Sequence, residues 1–237
     1  MVAAWLAELV GLPAGERAVV PVAEFATIAE GLRATGGTAP FLVPDCREFA
    51  LDAAGFRALL AGETAELFGY DYFKDTEYEL RYVAPLAALR RLEEGALDIV
   101  VVDAPISRAE AVLPAVLRER GPEDEDGRQY ACCYVLTCAG RVTPFHTDPE
   151  YGGGFMYLVG GEKVWWYVDP ADAPLDRLVD RSMTQVLVQD DLRLWGKVRV
   201  AQLRAGGFIY TPPGWAHRVR TLEPSFGVGG YIASTPR

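Results

Sequence analysis

The chain has 237 residues, 50% hydrophobic and 24% charged, which is enough to bury one sizeable core and is an ordinary globular composition. A formal net charge of −10 argues against non-specific attachment to nucleic acid or to an anionic membrane. No run of 18 apolar residues offers a membrane-spanning helix.

In chain order, residues 1–37 read as two amphipathic helices. Trp5, Leu6, Leu9 and Val10 form the apolar face of the first; Val22, Phe25, Ile28, Ala29 and Leu32 form that of the second, which Gly36-Gly37 stops. The opening residues carry an early acid, Glu8, and no basic stretch, so no signal peptide and a cytoplasmic location are expected. Ala39–Val43 reads as a strand and Phe49–Leu60 as a helix. Phe68–Asp75 is aromatic and polar, suited to line a pocket or cover the core. Pro85–Leu92 reads as a helix ended by Gly95, and Asp98–Val102 as a strand buried on both faces. Ser107 caps an expected helix over 108–118, with Glu110 completing the capping box, and an acidic loop spans 122–127.

From Arg128 the texture changes. Nine short β-branched or aromatic runs follow, separated by Gly, Pro and Asp turns: 130–137, 142–147, 155–159, 163–168, 186–188, 198–203, 207–211, 217–222 and 226–232. A helical insertion is expected at 172–180. The predicted fold is mainly β with helices: a sandwich or double-stranded β-barrel over 128–237, with a helical cap and flanking strands over 1–127, together one domain.

The chain has only two histidines, His146 and His217, and both fall at strand ends in the β-rich half. His146 and Asp148 stand two apart, so on an extended backbone they share a face. Proline and glycine flank both histidines (Pro144, Pro149, Pro212, Pro213, Gly214) and fix the backbone from which each projects. Two imidazoles and a carboxylate on one face of a metal leave positions open for cosubstrate and oxygen, the pattern of non-haem Fe(II) oxygenases. The four cysteines, Cys46, Cys132, Cys133 and Cys138, show neither a Cys-x-x-Cys pair nor zinc spacing. Lysine is scarce, three (Lys74, Lys163, Lys197) beside twenty arginines, and asparagine is absent.

Two blocks carry a resemblance. Val142–Val168, with Thr-Pro-Phe-His-Thr-Asp followed by Gly-Gly-Glu-Lys-Val-Trp-Trp-Tyr-Val, and Ala205–His217, with Tyr-Thr-Pro-Pro-Gly-Trp-Ala-His, resemble the JmjC-domain (cupin-type) 2-oxoglutarate oxygenases. Phe226–Tyr231 resembles the strand that follows in that family. The similarity is greatest to the branch containing histone lysine demethylases, and extends over about residues 128–233. It implies a double-stranded β-helix (jelly-roll) in which His146, Asp148 and His217 hold Fe(II). It also implies that Thr143 hydrogen-bonds, and Lys163 ion-pairs with, the distal carboxylate of 2-oxoglutarate. A buried dicarboxylate needs a paired cation, and Lys163 opens an aromatic strand where a lysine is otherwise out of place. Another branch supplies an arginine downstream of the second histidine; none occurs between Thr221 and Pro236. The asparagine many relatives place near the cosubstrate is missing, and Tyr157 or Tyr134 is the expected substitute.

The implied activity is O2-dependent hydroxylation, or demethylation at an N-methyl carbon, with 2-oxoglutarate converted to succinate and CO2. Trp165, Trp166, Trp195, Trp215 and Tyr210 are candidates for a substrate pocket, although Trp165 and Trp166 must face opposite ways on a strand. The expected substrate is a small molecule or a peptide or protein side chain, with no nucleic-acid or membrane partner; a homodimer is compatible with such a barrel. A cupin-type metal enzyme that does not use 2-oxoglutarate, which gives Thr143 and Lys163 no role, and a non-catalytic JmjC-like binding module are the alternatives.

Overall fold

Strands form where short β-branched and aromatic runs lie between turn residues. A computed structural model describes residues 18–63, 67–70, 81–95, 100–105, 112–119, 132–148, 152–171, 178–181, 184–187 and 197–232. Strands β1 (Ala18–Pro21), β2 (Ala23–Glu24) and β3 (Phe41–Val43) flank helix α1 (Ile28–Thr35). Helices α2 (Ala53–Gly62), α3 (Pro85–Glu93) and the single turn α4 (Ala115–Arg118) are interspersed with β4 (Leu67–Tyr70), β5 (Arg81–Val83) and β6 (Val100–Pro105). The β-rich half contains β7 (Cys133–Thr137), β8 (Val142–Thr147), β9 (Gly153–Gly160), β10 (Glu162–Val168), β11 (Leu178–Arg181) and β12 (Thr184–Leu187). It ends with β13 (Lys197–Arg204), β14 (Phe208–Thr211), β15 (Ala216–Thr221) and β16 (Ser225–Ile232).

These strands make two mixed sheets, in the orders β1-β13-β10-β15-β8-β12-β11 and β2-β3-β14-β9-β16-β7-β6-β4-β5. Among the described residues the sheets stay separate rather than closing into a barrel. The chain is thus mainly β, and the strands from β7 onward are divided between two layers. Their facing sides meet in a core of Met156, Leu158 and Ile209 from one sheet and Trp165, Tyr167, Ala201 and Leu203 from the other. Burial of this apolar surface, at about 25 cal/mol per Å², is what holds the layers together.

The opposite face of the second sheet carries the helices. Tyr134, Leu136, Tyr157, Phe208 and Tyr210 pack there against Ile28, Leu32, Phe56, Leu60, Leu89 and Leu92. The helix ends are those the sequence chemistry favours. Thr27 Oγ1 accepts from Glu30 N at 3.1 Å and Asp52 Oδ1 from Gly55 N at 2.8 Å; Gly36 closes α1 at φ 60°. Gly31 is required inside α1, because a Cβ there would run into the Phe41 ring. On the outer face of the first sheet, Val164, Trp166 and Val168 join Phe145, Val198 and Val200.

Two expectations are corrected. Residues 18–27 are not helical: β1 pairs with β13 and β2 with β3, and the helix begins only after the Thr27 cap. Residues 178–180, expected at the end of a helical insertion, belong to the strand Leu178–Arg181 paired with β12; tertiary pairing overrides the local periodicity in both places. The expected first helix, residues 71–75, 108–111 and 172–177, the acidic loop and Trp195 lie outside the described residues. No helix among the described residues is long and apolar enough to cross a membrane.

Candidate metal centre

β8 and β15 are antiparallel neighbours, and His146 and His217 sit directly opposite each other across them. Cross-strand partners place their side chains side by side, and the two imidazole centroids are 4.2 Å apart. Asp148, just past the end of β8, turns Oδ1 toward both rings, 3.7 Å from His146 Nε2 and 3.8 Å from His217 Nε2. One ligand atom from each of the three residues lies within 4.8 Å of the others, so His146, Asp148 and His217 could hold a metal ion.

A bulge makes the arrangement possible. His217 pairs with His146, but Val219 pairs with Thr143, so Pro144 and Phe145 together face the single residue Arg218. On a regular strand Thr143 and His146, three apart, would point to opposite sides. The extra residue resets the alternation: Phe145 enters the outer core, while Thr143 and His146 both line the inner cavity. Pro144, which has no N–H to give to a ladder, occupies the place where the ladder is already broken.

The cavity, about 160 Å³, is lined by Thr137, Thr143, His146, Asp148, Lys163 and His217, with Cys133, Met156, Trp165 and Tyr231 among its other walls. The histidine and carboxylate end is partly open, with side-chain exposures of 13% and 14% for His146 and Asp148. His217 is buried, and its Nδ1 lies 3.0 Å from the Trp215 carbonyl. A carbonyl can only accept, so a neutral His217 carries its proton on Nδ1 and turns the lone pair of Nε2 toward Asp148 and His146. Trp215 is itself anchored by its indole N–H to Thr38 O at 3.0 Å.

Lys163 is 4% exposed, and its ammonium donates to Thr137 Oγ1 at 2.9 Å. No carboxylate among the described residues pairs with it. Burial pulls its pKa from 10.5 down to about 7. No family model matches the chain, and no curated protein does. A cavity with a carboxylate-bearing ligand set at one place and a buried lysine at another has two charges of opposite sign, neither of which it neutralises from its own described residues. A divalent cation answers the first and a carboxylate anion the second.

Five of the six expected site residues, His146, Asp148, His217, Thr143 and Lys163, thus line one cavity. Tyr157 does not join them. Its ring stacks on Phe49 at 4.3 Å and its hydroxyl donates to Leu51 O at 3.2 Å, on the helix-covered face. Tyr134, the other expected substitute, donates to Glu63 Oε1 at 2.8 Å on the same face. Both errors are of strand parity: Met156 faces the cavity, so Tyr157 cannot. Of the candidate pocket aromatics, Trp165 lines the cavity and Trp166 packs on the outer face, while Tyr210 packs in the core under the helices.

Sequence reading missed Thr137, the lysine's partner, for which nothing in the local pattern gives a signal. It also missed Gly154 and Thr211. A Cβ at Gly154 would collide with Asp148 Oδ2, so only glycine leaves the carboxylate its position. The Gly152-Gly153-Gly154 run was the available clue.

Proposed function

We propose that this chain is an Fe(II)- and 2-oxoglutarate-dependent oxygenase of JmjC type, acting on a small molecule or on a peptide or protein side chain. The observation that carries the reading is one cavity lined by both a two-histidine, one-carboxylate group and a buried lysine without an anionic partner among the described residues. Structural zinc sites use four protein ligands and close the metal off; three ligands at a partly open cavity suit a metal that must also bind reactants.

The strand order supports the reading. Strands β7, β16, β9 and β14 are neighbours in one sheet, and β8, β15, β10 and β13 in the other. Successive strands β7 to β10 alternate between the layers, as do β13 to β16, which is the order a double-stranded β-helix requires.

In this reading His146, Asp148 and His217 would hold Fe(II), while Lys163 and Thr143 would receive the distal carboxylate of 2-oxoglutarate. When bound, the metal and cosubstrate supply the oxidising power, with O2 consumed and 2-oxoglutarate converted to succinate and CO2. The chain's own part is placement. The Trp215 carbonyl fixes the His217 tautomer, and the bulge sets Thr143 and His146 on one side. Trp165, Met156 and Ile209 wall the cavity from the core side and keep water from the reacting groups.

The test is succinate release from 2-oxoglutarate in air by the Fe(II)-loaded protein without added substrate, since such enzymes turn over slowly when uncoupled. Succinate formed by the wild-type protein and absent in His217→Ala is the expected outcome. Tightly bound iron with no succinate and no 2-oxoglutarate binding would instead favour a metal enzyme that does not use this cosubstrate.

A further inference from the structure

Trp215 lies just before the first residue of β15 and two residues before His217. Its backbone is loosely tied there. Trp215 N–H donates to Pro212 O at 3.4 Å, long for a hydrogen bond, across a turn in which Gly214 takes φ 77°. Its side chain, 4% exposed as a residue, is held on three sides. The indole N–H donates to Thr38 O at 3.0 Å, the Arg199 guanidinium lies 5.0 Å from the ring centroid, and the Tyr167 ring meets it edge-on at 6.5 Å. Thr38 is a stiff anchor, because its N–H and Oγ1 both donate to Thr35 O, at 3.1 and 2.8 Å, in the turn that follows α1. Tyr210 donates to the neighbouring Gly37 O at 3.2 Å.

We infer that Trp215 is a positioning residue for the metal centre: its indole, clamped between Thr38 and Arg199, holds in place the peptide carbonyl that orients His217. This rests on the metal-centre reading above but not on the identity of the cosubstrate.

That carbonyl lies 3.0 Å from His217 Nδ1. A ligand histidine that donates its second N–H to a fixed acceptor keeps one tautomer and one ring orientation. The acceptor is only as fixed as residue 215, and the side chain supplies what the turn lacks. Tyr167 ties the two together a second time. Its ring is 5.9 Å from the His217 imidazole, and it pairs directly with His217 on one side and with Arg199 on the other.

The test combines nitrogen NMR of the apo protein, labelled at its histidines, with Co(II) titration of the full chain. The chain has two histidines, so His146→Gln assigns the ring signals. At alkaline pH both imidazoles are neutral, and the couplings report which ring nitrogen carries the proton. Trp215→Phe removes the indole N–H. Arg199→Gln removes the clamp from the partly exposed side without touching the core, and decides the matter if Trp215→Phe does not fold. Trp166→Phe is the control, a buried tryptophan on the outer face of the same layer whose N–H has no hydrogen-bond partner among the described residues.

Wild type is expected to carry the His217 proton on Nδ1 alone. Trp215→Phe should populate both tautomers and bind Co(II) roughly tenfold more weakly, the lower end of the effect of such partners, with a changed visible d–d spectrum. Arg199→Gln should move the readouts the same way by less, and Trp166→Phe should move none of them. A wild-type tautomer and wild-type Co(II) affinity in the Trp215 and Arg199 variants would overturn the inference while leaving the metal centre standing. An equal change in Trp166→Phe would overturn it too, as the mark of a general loss of packing. A wild-type protein that binds no Co(II) would overturn the metal centre itself and this inference with it.

Discussion

The cavity has two differently built regions. Around His146, Asp148 and His217, three ligands come from two neighbouring strands and the residue just past the end of β8, partly open, held by a bulge and a backbone carbonyl. Around Lys163, one charge is buried inside the sandwich, with the Thr137 hydroxyl as its one hydrogen-bond partner among the described residues. The first region could hold a cation, and the second suits an anion. The difference teaches where stability has been given up. Imidazoles are neutral when unprotonated and rest at little cost, whereas a buried ammonium is expensive until an anion arrives.

Removing the lysine tests that contrast most strongly. Lys163→Met is expected to weaken 2-oxoglutarate binding roughly 30- to 5,000-fold, the range for deleting one partner of a buried charge pair, with Fe(II) affinity unchanged. Without cosubstrate the same variant should be more stable than wild type by roughly 1–4 kcal/mol at neutral pH. The sign has a pH signature. Between pH 7 and 10.5 the unfolded chain holds the Lys163 proton and the folded chain does not, so wild-type stability rises with pH across that window. The advantage of Lys163→Met is therefore largest below pH 7 and gone by pH 10.5; denaturant melts at several pH values read it directly.

The same group gives ligand binding a slope. A carboxylate requires the ammonium form, so above pH 7 each binding event takes up one proton. The apparent affinity for 2-oxoglutarate should fall about tenfold per pH unit above 7, as read by calorimetry in two buffers of different ionisation enthalpy. Lys163→Met should abolish that slope.

A subtler change acts at the metal alone. Gly154→Ala drives a methyl group into the space of Asp148 Oδ2, and should weaken Fe(II) binding by about tenfold with little effect on the pH slope of the lysine region. A metal dissociation constant equal to wild type would show that Asp148 has room to move.

Much of the site was legible because rare residues mark it. Two histidines and three lysines in 237 residues left few ways to build a metal group and a cation, and the flanking prolines and glycines signalled fixed turns. The strands were legible for a similar reason, since turn residues bracket each run; nearly every one forms, with ends shifted by a few residues. What was not legible depends on strand parity and on pairing. Phe155–Val159 is apolar at every position, so its sequence does not say which face Tyr157 takes. The β8 bulge is invisible until Val219 is seen opposite Thr143. Residues 18–27 were misread because an apolar spacing that fits a helix was outcompeted by edge pairing with β13 and β3. Gly154 gains its meaning only from the closeness of Asp148 Oδ2.

The most direct measurement is anaerobic titration of the Fe(II)-loaded protein with 2-oxoglutarate, followed by visible absorption, where chelation of iron by the cosubstrate gives a weak metal-to-ligand charge-transfer band. A band that saturates is expected in the wild-type protein. It should be absent in His217→Ala and appear only at far higher 2-oxoglutarate in Lys163→Met. A wild-type protein that holds iron yet develops no band at saturating 2-oxoglutarate would contradict the claim that the two regions act as one site.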